Sequence, residues 1–307
     1  MDLAHDSWVL GGTFKQIYKI DPERFEPPNF ITKVKSRYFF KTLYSVLASE
    51  VFKRRIIFSS LTPFENYLKI AKLSWTKKAL LFTHYDGIMP DKIIKLFNKS
   101  NLIFVYSHND IKKLSDQGVK SKIIPITGAI DPDLFTQIKF EGQKIAWIGT
   151  PVSRKNPEYL LSFAQKSPQI TFKVFGRNWR NSPLWTQTSG MKNIEYHEII
   201  KPVNSTDLFD CSHFLMLSRL EGGPMTLLEA LASGLIPICT KTGIVEEILN
   251  ETGYLNQIVA EPLNLSELSI KINAKYSHEH RKHAAEIALK YSFKRLTRII
   301  SSEIGKL

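Results

Sequence analysis

Short, mostly apolar runs alternate with amphipathic stretches along much of this chain. Residues 144–148, 170–176 and 214–217 are runs of strand length, and a helical pattern follows the first and the last of them. Strands buried in parallel sheets have this continuous apolar character, and their alternation with helices is typical of βαβ units. The pattern therefore predicts an α/β fold built from parallel sheets.

The most regular stretch is residues 214–239, with the sequence FLMLSRLEGGPMTLLEALASGLIPIC. An apolar run leads into a polar turn, a helical pattern extends from Thr226 to Ser233, and a second apolar run ends at Cys239. Open α/β sheets bind ligands at the carboxyl ends of their strands, and a helix that begins there favours anions. We therefore expect a ligand site at this turn.

Two carboxylates flank the turn, Glu221 before it and Glu229 in the helix, eight positions apart. With the glycines and the proline between them, the segment EGGPMTLLEALASG resembles the donor-site signature of the family 4 (group 1) retaining glycosyltransferases, which have the GT-B fold. The resemblance implies that Glu221 meets the transferred sugar and that Glu229 meets the ribose of a nucleotide. It also implies that the residues between them bind the donor: Gly222, Gly223, Pro224, Met225 and Thr226.

The resemblance covers residues about 102–300 well and residues 1–100 loosely. It implies two Rossmann-like domains with parallel sheets that face each other across a cleft. We expect a shortened acceptor-side domain in 1–137, a donor-binding domain in 138–290, and a C-terminal helix in 291–307 that crosses back to the first domain.

A second motif lies in residues 144–165, which predict a strand, a polar loop and an amphipathic helix. In the family, this loop carries an arginine directly after a glycine and a lysine five positions further on, and both hold the leaving diphosphate. Lys155 matches the lysine, but Thr150 follows Gly149 where the arginine is usual. Arg154 lies beside Lys155 and could supply the missing charge.

Three further positions resemble the family less closely. Gly12 lies in an N-terminal glycine pair that borders the donor phosphates in the family, although a simple turn explains it equally well. His84 follows a predicted strand where family members often carry a histidine facing the donor; a structural hydrogen bond is the alternative. Gly243 matches a second phosphate-facing turn, but Ile244 stands where another glycine is usual.

The length suits two domains of ordinary size, and the composition is that of a globular protein. The chain has 307 residues, 43% hydrophobic and 23% charged, and no apolar run of the ~18–20 residues that span a membrane. The N-terminus lacks the pattern of a signal peptide, so we expect a cytoplasmic location. Cys211 and Cys239 border apolar runs and predict buried thiols, and the histidines of 278–283 have no metal-ligand spacing. We expect neither a metal nor a cofactor.

The net charge is +13, and residues 1–137 carry 21 Lys or Arg against 13 Asp or Glu, a net of +8. A basic surface favours an anionic partner, and we expect peripheral contact with an anionic membrane at the cytoplasmic face. Nucleic acid is disfavoured, because the aromatic residues are not interleaved with the basic clusters in a recognition motif.

The function implied by the resemblance is transfer of a sugar from a nucleotide diphosphate sugar to a glycan, lipid-linked or other acceptor, with retained anomeric configuration and without a metal. Such a reaction would serve the biosynthesis of polysaccharides or glycolipids. Two alternatives stay open at this point. The same fold could support a sugar-nucleotide epimerase or a glycan phosphorylase, or the chain could bind sugar nucleotides without catalysis.

Overall fold

The computed structural model describes residues 56–58, 61, 64–65, 68, 77–82, 88–136, 138, 141–199, 203–261 and 263–307. They form two parallel sheets with helices between the strands, which confirms the predicted fold class. The chain divides into two compact units, Ile130–Ser292 on one hand and Met1–Ala129 with Phe293–Leu307 on the other. The domain limits given above, 1–137, 138–290 and 291–307, stay a prediction.

The secondary structure elements are labelled in chain order. The strands are β1 (Ile56–Phe58), β2 (Lys78–Leu81), β3 (Leu102–Val105), β4 (Lys122–Pro125), β5 (Lys144–Ile148), β6 (Phe172–Gly176), β7 (Ile194–Glu198), β8 (Cys211–Met216), β9 (Ile236–Thr240) and β10 (Ile258–Val259). The α-helices are α1 (Asp91–Phe97), α2 (His108–Asp116), α3 (Pro157–Lys166), α4 (Trp185–Gly190), α5 (Ser205–Leu208), α6 (Met225–Ala232), α7 (Val245–Glu251), α8 (Leu265–Asn273), α9 (His278–Lys290) and α10 (Phe293–Gly305). Short 3-10 helices cover Pro132–Phe135, Ser153–Lys155 and Leu255–Gln257.

The first unit contains a parallel sheet in the order β1-β2-β3-β4. All residues of β2 and β3 are buried, as expected for strands that are covered on both faces. Helix α2 begins directly after Ser107, whose side chain accepts a hydrogen bond from the Asn109 N–H and so caps the helix. Lys122 on β4 pairs with Glu303 on α10 at 2.6 Å, which ties the C-terminal helix to this sheet.

The second unit contains a parallel sheet in the order β10-β9-β8-β5-β6-β7. After β5, the strands β6 and β7 are added on one side of β5. After β8, which pairs with the other side of β5, the strands β9 and β10 are added away from β5. The strand order therefore reverses between β5 and β8. In open α/β sheets, ligands bind beyond the carboxyl ends of the strands at such a switch point.

Both faces of this sheet are covered by apolar side chains. Phe214 and Leu228 belong to the core on one face, while Trp147, Leu161 and Trp179 belong to the core on the other. Each of these side chains is at most 2% exposed. Burying one large apolar side chain stabilises the fold by about 1.5–3 kcal/mol. These two cores fix the positions of β5 and β8, and with them the loops at their carboxyl ends.

The predicted strand–turn–helix–strand unit is present as β8, α6 and β9. Gly234 ends α6 in the left-handed conformation, with φ of 75°, as a glycine after a helix commonly does. Four residues at the start of α9 are exposed: His278, Glu279, Lys282 and His283. Arg281 between them is buried, and its Nε donates to the Gly234 carbonyl at 2.6 Å. A cation at that point satisfies a carbonyl at the negative end of α6.

Candidate functional site

Two loops meet at the switch point of the six-stranded sheet. The first follows β5 and contains the 3-10 turn Ser153–Lys155; the second follows β8 and contains Glu221. Backbone hydrogen bonding joins them, because the Arg219 N–H donates to the Arg154 carbonyl at 2.8 Å. Residues that are more than 60 positions apart in sequence therefore share one site.

Asn156 ends the first loop and holds it against the second. Its backbone is left-handed, with φ of 51° and ψ of 49°, which asparagine tolerates better than most residues. Its side-chain Nδ2 donates to the Leu217 carbonyl at 2.9 Å, and the residue is only 1% exposed. Pro157 then occupies the first position of α3, where a missing N–H costs nothing. The left-handed residue thus turns the chain so that Arg154 and Lys155 reach the second loop.

Glu221 is paired with both predicted cations. Its Oε1 contacts Lys155 Nζ, and its Oε2 lies 3.2 Å from Arg154 Nη1. The Arg154 guanidinium also donates to the Leu220 carbonyl at 3.3 Å. The side chain of Glu221 is 8% exposed and that of Lys155 is 12% exposed, whereas Arg154 is 43% exposed. Arg154 and Lys155 therefore both contact Glu221, and the substitution of Arg154 for the family's arginine stays a prediction.

Thr150 follows Gly149 at the end of β5 and is partly exposed. The Gly149 carbonyl accepts a hydrogen bond from Trp179 Nε1 at 3.0 Å, and its N–H donates to the Phe175 carbonyl at 2.8 Å. The strand end is thus anchored through its backbone. Within the described residues, the cations that contact Glu221 are Arg154 and Lys155, and position 150 supplies none.

A third loop, after β9, supports the second. The Thr242 hydroxyl accepts a hydrogen bond from the Glu221 N–H at 2.9 Å, and the Ile244 N–H donates to the Gly222 carbonyl at 3.1 Å. Gly243 has φ of 54°, and a Cβ there would lie 2.3 Å from the Gly222 oxygen. Gly243 is therefore required for packing, and Ile244 uses its N–H inside the protein. A donor-binding role for Gly243 stays a prediction.

Helix α6 presents its amino end to the same edge of the sheet. Pro224 is its N-cap residue, and no side chain caps the helix. Pro224 and Gly222 are buried, whereas Gly223, Met225 and Thr226 are partly exposed. An uncapped helix start beside two cations is an environment that favours anionic or hydroxyl oxygens.

Glu229 lies in α6 and is buried, with 6% of its surface exposed. Burial raises the pKa of its carboxyl to about 7, against a smaller lowering by Lys155. The carboxyl makes no hydrogen bond with the part of the chain that the structure describes. Lys155 acts on both carboxyls, since it contacts Glu221 and lowers the pKa of Glu229.

The structure brings together most, but not all, of the predicted residues. Gly12 and His84 lie outside the described residues, so their predicted roles stay predictions. The sequence analysis missed Asn156 and Thr242, which position the loops. Asparagine followed by proline at a helix start is a usable signal for the first of them, since it combines a left-handed turn with a favoured helix opening.

Comparisons with known proteins give the family and the fold of this chain. The family described as glycosyl transferases group 1 matches residues 135–290, about half of the chain. The chain belongs to the group 1 glycosyltransferases. A comparison with curated protein sequences gives no match.

Solved structures resemble this group 1 glycosyltransferase in fold. A mutant of S. aureus TarM, in complex with fondaparinux, alpha-GlcNAc-glycerol and UDP, has a TM-score of 0.63 and 16% identity, over 84% of this chain and 58% of its own. The pneumococcal O-GlcNAc transferase GtfA, in complex with UDP and GlcNAc, has a TM-score of 0.62 and 15% identity, over 87% and 59%. Sucrose-phosphate synthase from Thermosynechococcus elongatus has a TM-score of 0.67 and 13% identity, over 90% and 80%.

These likenesses confirm the predicted GT-B fold, and the family match confirms the resemblance to group 1 glycosyltransferases. This group 1 glycosyltransferase spans less than two thirds of the length of the TarM and GtfA chains. Among the described residues, no helix is both long and apolar enough to span a bilayer.

Proposed function

We propose that this group 1 glycosyltransferase moves a sugar from a nucleotide diphosphate sugar to an acceptor hydroxyl with retention of anomeric configuration. The observation that carries the proposal is the grouping of Arg154 and Lys155 around Glu221 at the switch point of the sheet, with Glu229 close by. This grouping supplies cations for a diphosphate and carboxylates for hydroxyl groups. The resemblance to retaining enzymes supports the stereochemistry.

The cations act where negative charge develops. As the bond from the sugar to the diphosphate breaks, the leaving diphosphate gains charge, and oriented cations stabilise that charge in the transition state. Lys155 and Arg154 are placed for this role, and the start of α6 adds the positive end of a helix dipole. We therefore propose that the reaction needs no metal ion, so that activity should survive EDTA. Loss of activity on chelation, restored by Mg²⁺ or Mn²⁺, would contradict this.

The carboxylates act on the hydroxyl groups of the donor. Glu221 is placed beside the cations and would hold the sugar hydroxyls, which orients the ring for attack. Glu229 would bind the ribose hydroxyls from α6. Glu221 is not assigned the role of a covalent nucleophile. The nucleotides and the GlcNAc in the related structures, which belong to those proteins, make UDP-sugars the first donors to test.

The direct test is a thermal-shift panel of UDP, GDP, ADP and CMP sugars, because a ligand that binds only the native state raises the melting temperature. A donor that stabilises the protein is then incubated with glycan and lipid-linked acceptors, and the anomeric configuration of the product is read by NMR. We expect one nucleotide class to stabilise the protein and a product with the configuration of the donor. An inverted product would overturn the proposed stereochemistry.

A non-catalytic binder is the second candidate. Two observations favour it: Thr150 stands where the family's arginine is usual, and the Ile244 N–H is already used by the Gly222 carbonyl. Both reduce the number of groups that can stabilise a leaving diphosphate. Donor binding without slow hydrolysis to free sugar, and without transfer to any acceptor, would support this candidate over the transferase.

We also propose peripheral contact with an anionic membrane, on the basis of the net charge of +8 in residues 1–137. Each surface Lys or Arg near such a membrane adds about 1 kcal/mol, an attraction that salt weakens. Sedimentation with vesicles containing an anionic lipid should therefore pull down the protein at low salt. Equal binding to neutral vesicles would contradict the electrostatic basis.

A further inference from the structure

The ion pairs of Glu221 use the same cations that a donor diphosphate would need. One carboxylate oxygen contacts Lys155 Nζ and the other lies 3.2 Å from Arg154 Nη1. A diphosphate would bind these cations in the same arrangement, because each of its phosphate groups presents an oxygen to one cation. The carboxylate of Glu221 thus occupies the position of an anionic ligand.

A diphosphate and this carboxylate cannot both keep these contacts without repelling each other. Like charges held within a few ångströms disfavour the charged state of both groups, and the effect is stronger where water is excluded. Glu221 and Lys155 are 8% and 12% exposed, so little water separates their charges. Arrival of a diphosphate must therefore weaken the contact between Glu221 and Lys155.

The backbone around Glu221 is fixed, so the change falls on its side chain. The Glu221 N–H is held by the Thr242 hydroxyl, and the next carbonyl, that of Gly222, is held by the Ile244 N–H. Arg154 is 43% exposed and can follow an incoming phosphate without repacking the core. Rotation of the Glu221 carboxylate and small shifts of Lys155 and Arg154 are therefore sufficient to admit a diphosphate.

We propose that Glu221 is an exchangeable counterion, which neutralises Lys155 and Arg154 before the donor binds and is displaced by the donor diphosphate. This counterion role rests on the proposed function and adds that binding of the diphosphate is coupled to release of the Glu221 carboxylate. The carboxylate becomes available to the sugar hydroxyls only when a diphosphate has taken its cations. The site is thereby selective for the intact donor, because a free sugar cannot release Glu221.

The test is isothermal titration calorimetry with UDP, GDP, ADP and CDP and with the matching nucleosides. Glu221→Gln removes the competing charge, so the diphosphate that binds the wild-type chain should bind the variant about tenfold more tightly, which equals ~1.4 kcal/mol. The affinity for the nucleoside should not change. Glu158→Gln is the matched control: Glu158 is exposed, lies three positions after Lys155, and has the same charge to lose. Its diphosphate affinity should stay within twofold of the wild type.

The outcomes distinguish the counterion role of Glu221 from the proposed function. Equal or weaker diphosphate binding by Glu221→Gln would overturn the counterion role and leave the proposed function standing. A comparable gain in Glu158→Gln would also overturn it, because a change in net charge alone would then explain the effect. If the wild-type chain binds none of the four diphosphates, the proposed function itself fails.

A second measurement does not depend on the folding of a variant. In a crystal structure of the wild-type chain with the diphosphate bound, Lys155 Nζ and Glu221 Oε1 should be separated by more than about 4 Å, the limit of an ion pair. Persistence of the ion pair beside a bound diphosphate would contradict the exchange.

Discussion

The two ends of the six-stranded sheet both carry clusters of charged side chains, and they differ in charge balance. At the amino end, Lys144 contacts Glu195 at 2.7 Å and Asp210 at 3.0 Å, while Lys173 contacts Asp210 at 2.9 Å. Two cations meet two carboxylates, and Lys173 also donates to the Asp207 carbonyl. This cluster is neutral, and its members satisfy one another.

At the carboxyl end, Arg154 and Lys155 share the single carboxylate of Glu221. Glu229 adds less than a full negative charge near pH 7, because burial raises its pKa to about 7. This cluster therefore has an excess of positive charge, and it lies where the strand order reverses. We infer that charge balance, and not the number of ion pairs, separates the structural cluster from the proposed binding site in this sheet.

The largest effect on the reaction is expected from substitution of Arg154, one of the two cations at the carboxyl end. If Arg154 replaces the arginine missing at position 150, Arg154→Ala should raise the barrier by about 2–4 kcal/mol, the scale for one oriented donor at developing charge. Thr150→Arg in that background should recover part of the loss, because it returns a cation to the edge of the strand. Steady-state kcat values of the two variants measure this. A silent Arg154→Ala, with a faster Thr150→Arg single variant, would show a site whose lost arginine was never replaced.

The next effect concerns the stability of the site and its dependence on pH. Since the pKa of Glu229 is about 7 in the folded chain and about 4.5 for an ordinary glutamate, the folded state binds the proton more tightly. The free energy of unfolding therefore falls as pH rises from about 4.5 through 7, and the penalty is complete above 7. Glu229→Gln removes this penalty and should stabilise the protein by about 2–3 kcal/mol at pH 8, with little effect at pH 4.5.

Urea unfolding at the two pH values measures the difference. An equal effect of Glu229→Gln at both would show that the carboxyl does not titrate in this range. The ribose role predicts an opposite effect on function, since the same variant should raise the donor KM more than it lowers kcat.

A smaller effect is expected at the amino end of the sheet. Asp210→Asn removes the carboxylate that Lys144 and Lys173 share, and it should lower the free energy of unfolding by about 1–2 kcal/mol, because these side chains are only partly buried. Donor KM and kcat of the folded variant should be unchanged. A loss of turnover as large as that of Arg154→Ala would erase the distinction between the two clusters.

The sequence was sufficient to predict the elements that depend on local patterns. Strand β8, helix α6 and strand β9 lie within a few residues of their predicted positions. Each strand has its own apolar run, and Gly234 ends the helix. Ser107 and Asp131 cap their helical segments, and such caps are local signals because the side chain bonds to its own neighbours.

What the sequence could not predict depends on contacts between distant residues. The pairing of Glu221 with Lys155 joins positions far apart in the chain, and it requires that β5 and β8 be neighbours in the sheet. The packing of Gly243 against Gly222 depends likewise on the third loop. Arg281 has polar neighbours in the sequence, but α9 buries it against the end of α6.

The central claim is that the cluster at the carboxyl end is a binding site for a nucleoside diphosphate. Isothermal titration of the diphosphate selected by the thermal-shift panel against the wild-type chain, Lys155→Ala and Lys144→Ala tests it most directly. Both variants lose one lysine charge from the same sheet, so their net charges match. We predict that Lys155→Ala weakens binding at least about tenfold, since a hydrogen bond to a charged group contributes ~1.5–3 kcal/mol, and that Lys144→Ala binds like the wild type. Wild-type affinity in Lys155→Ala, or an equal loss in both variants, would contradict the account.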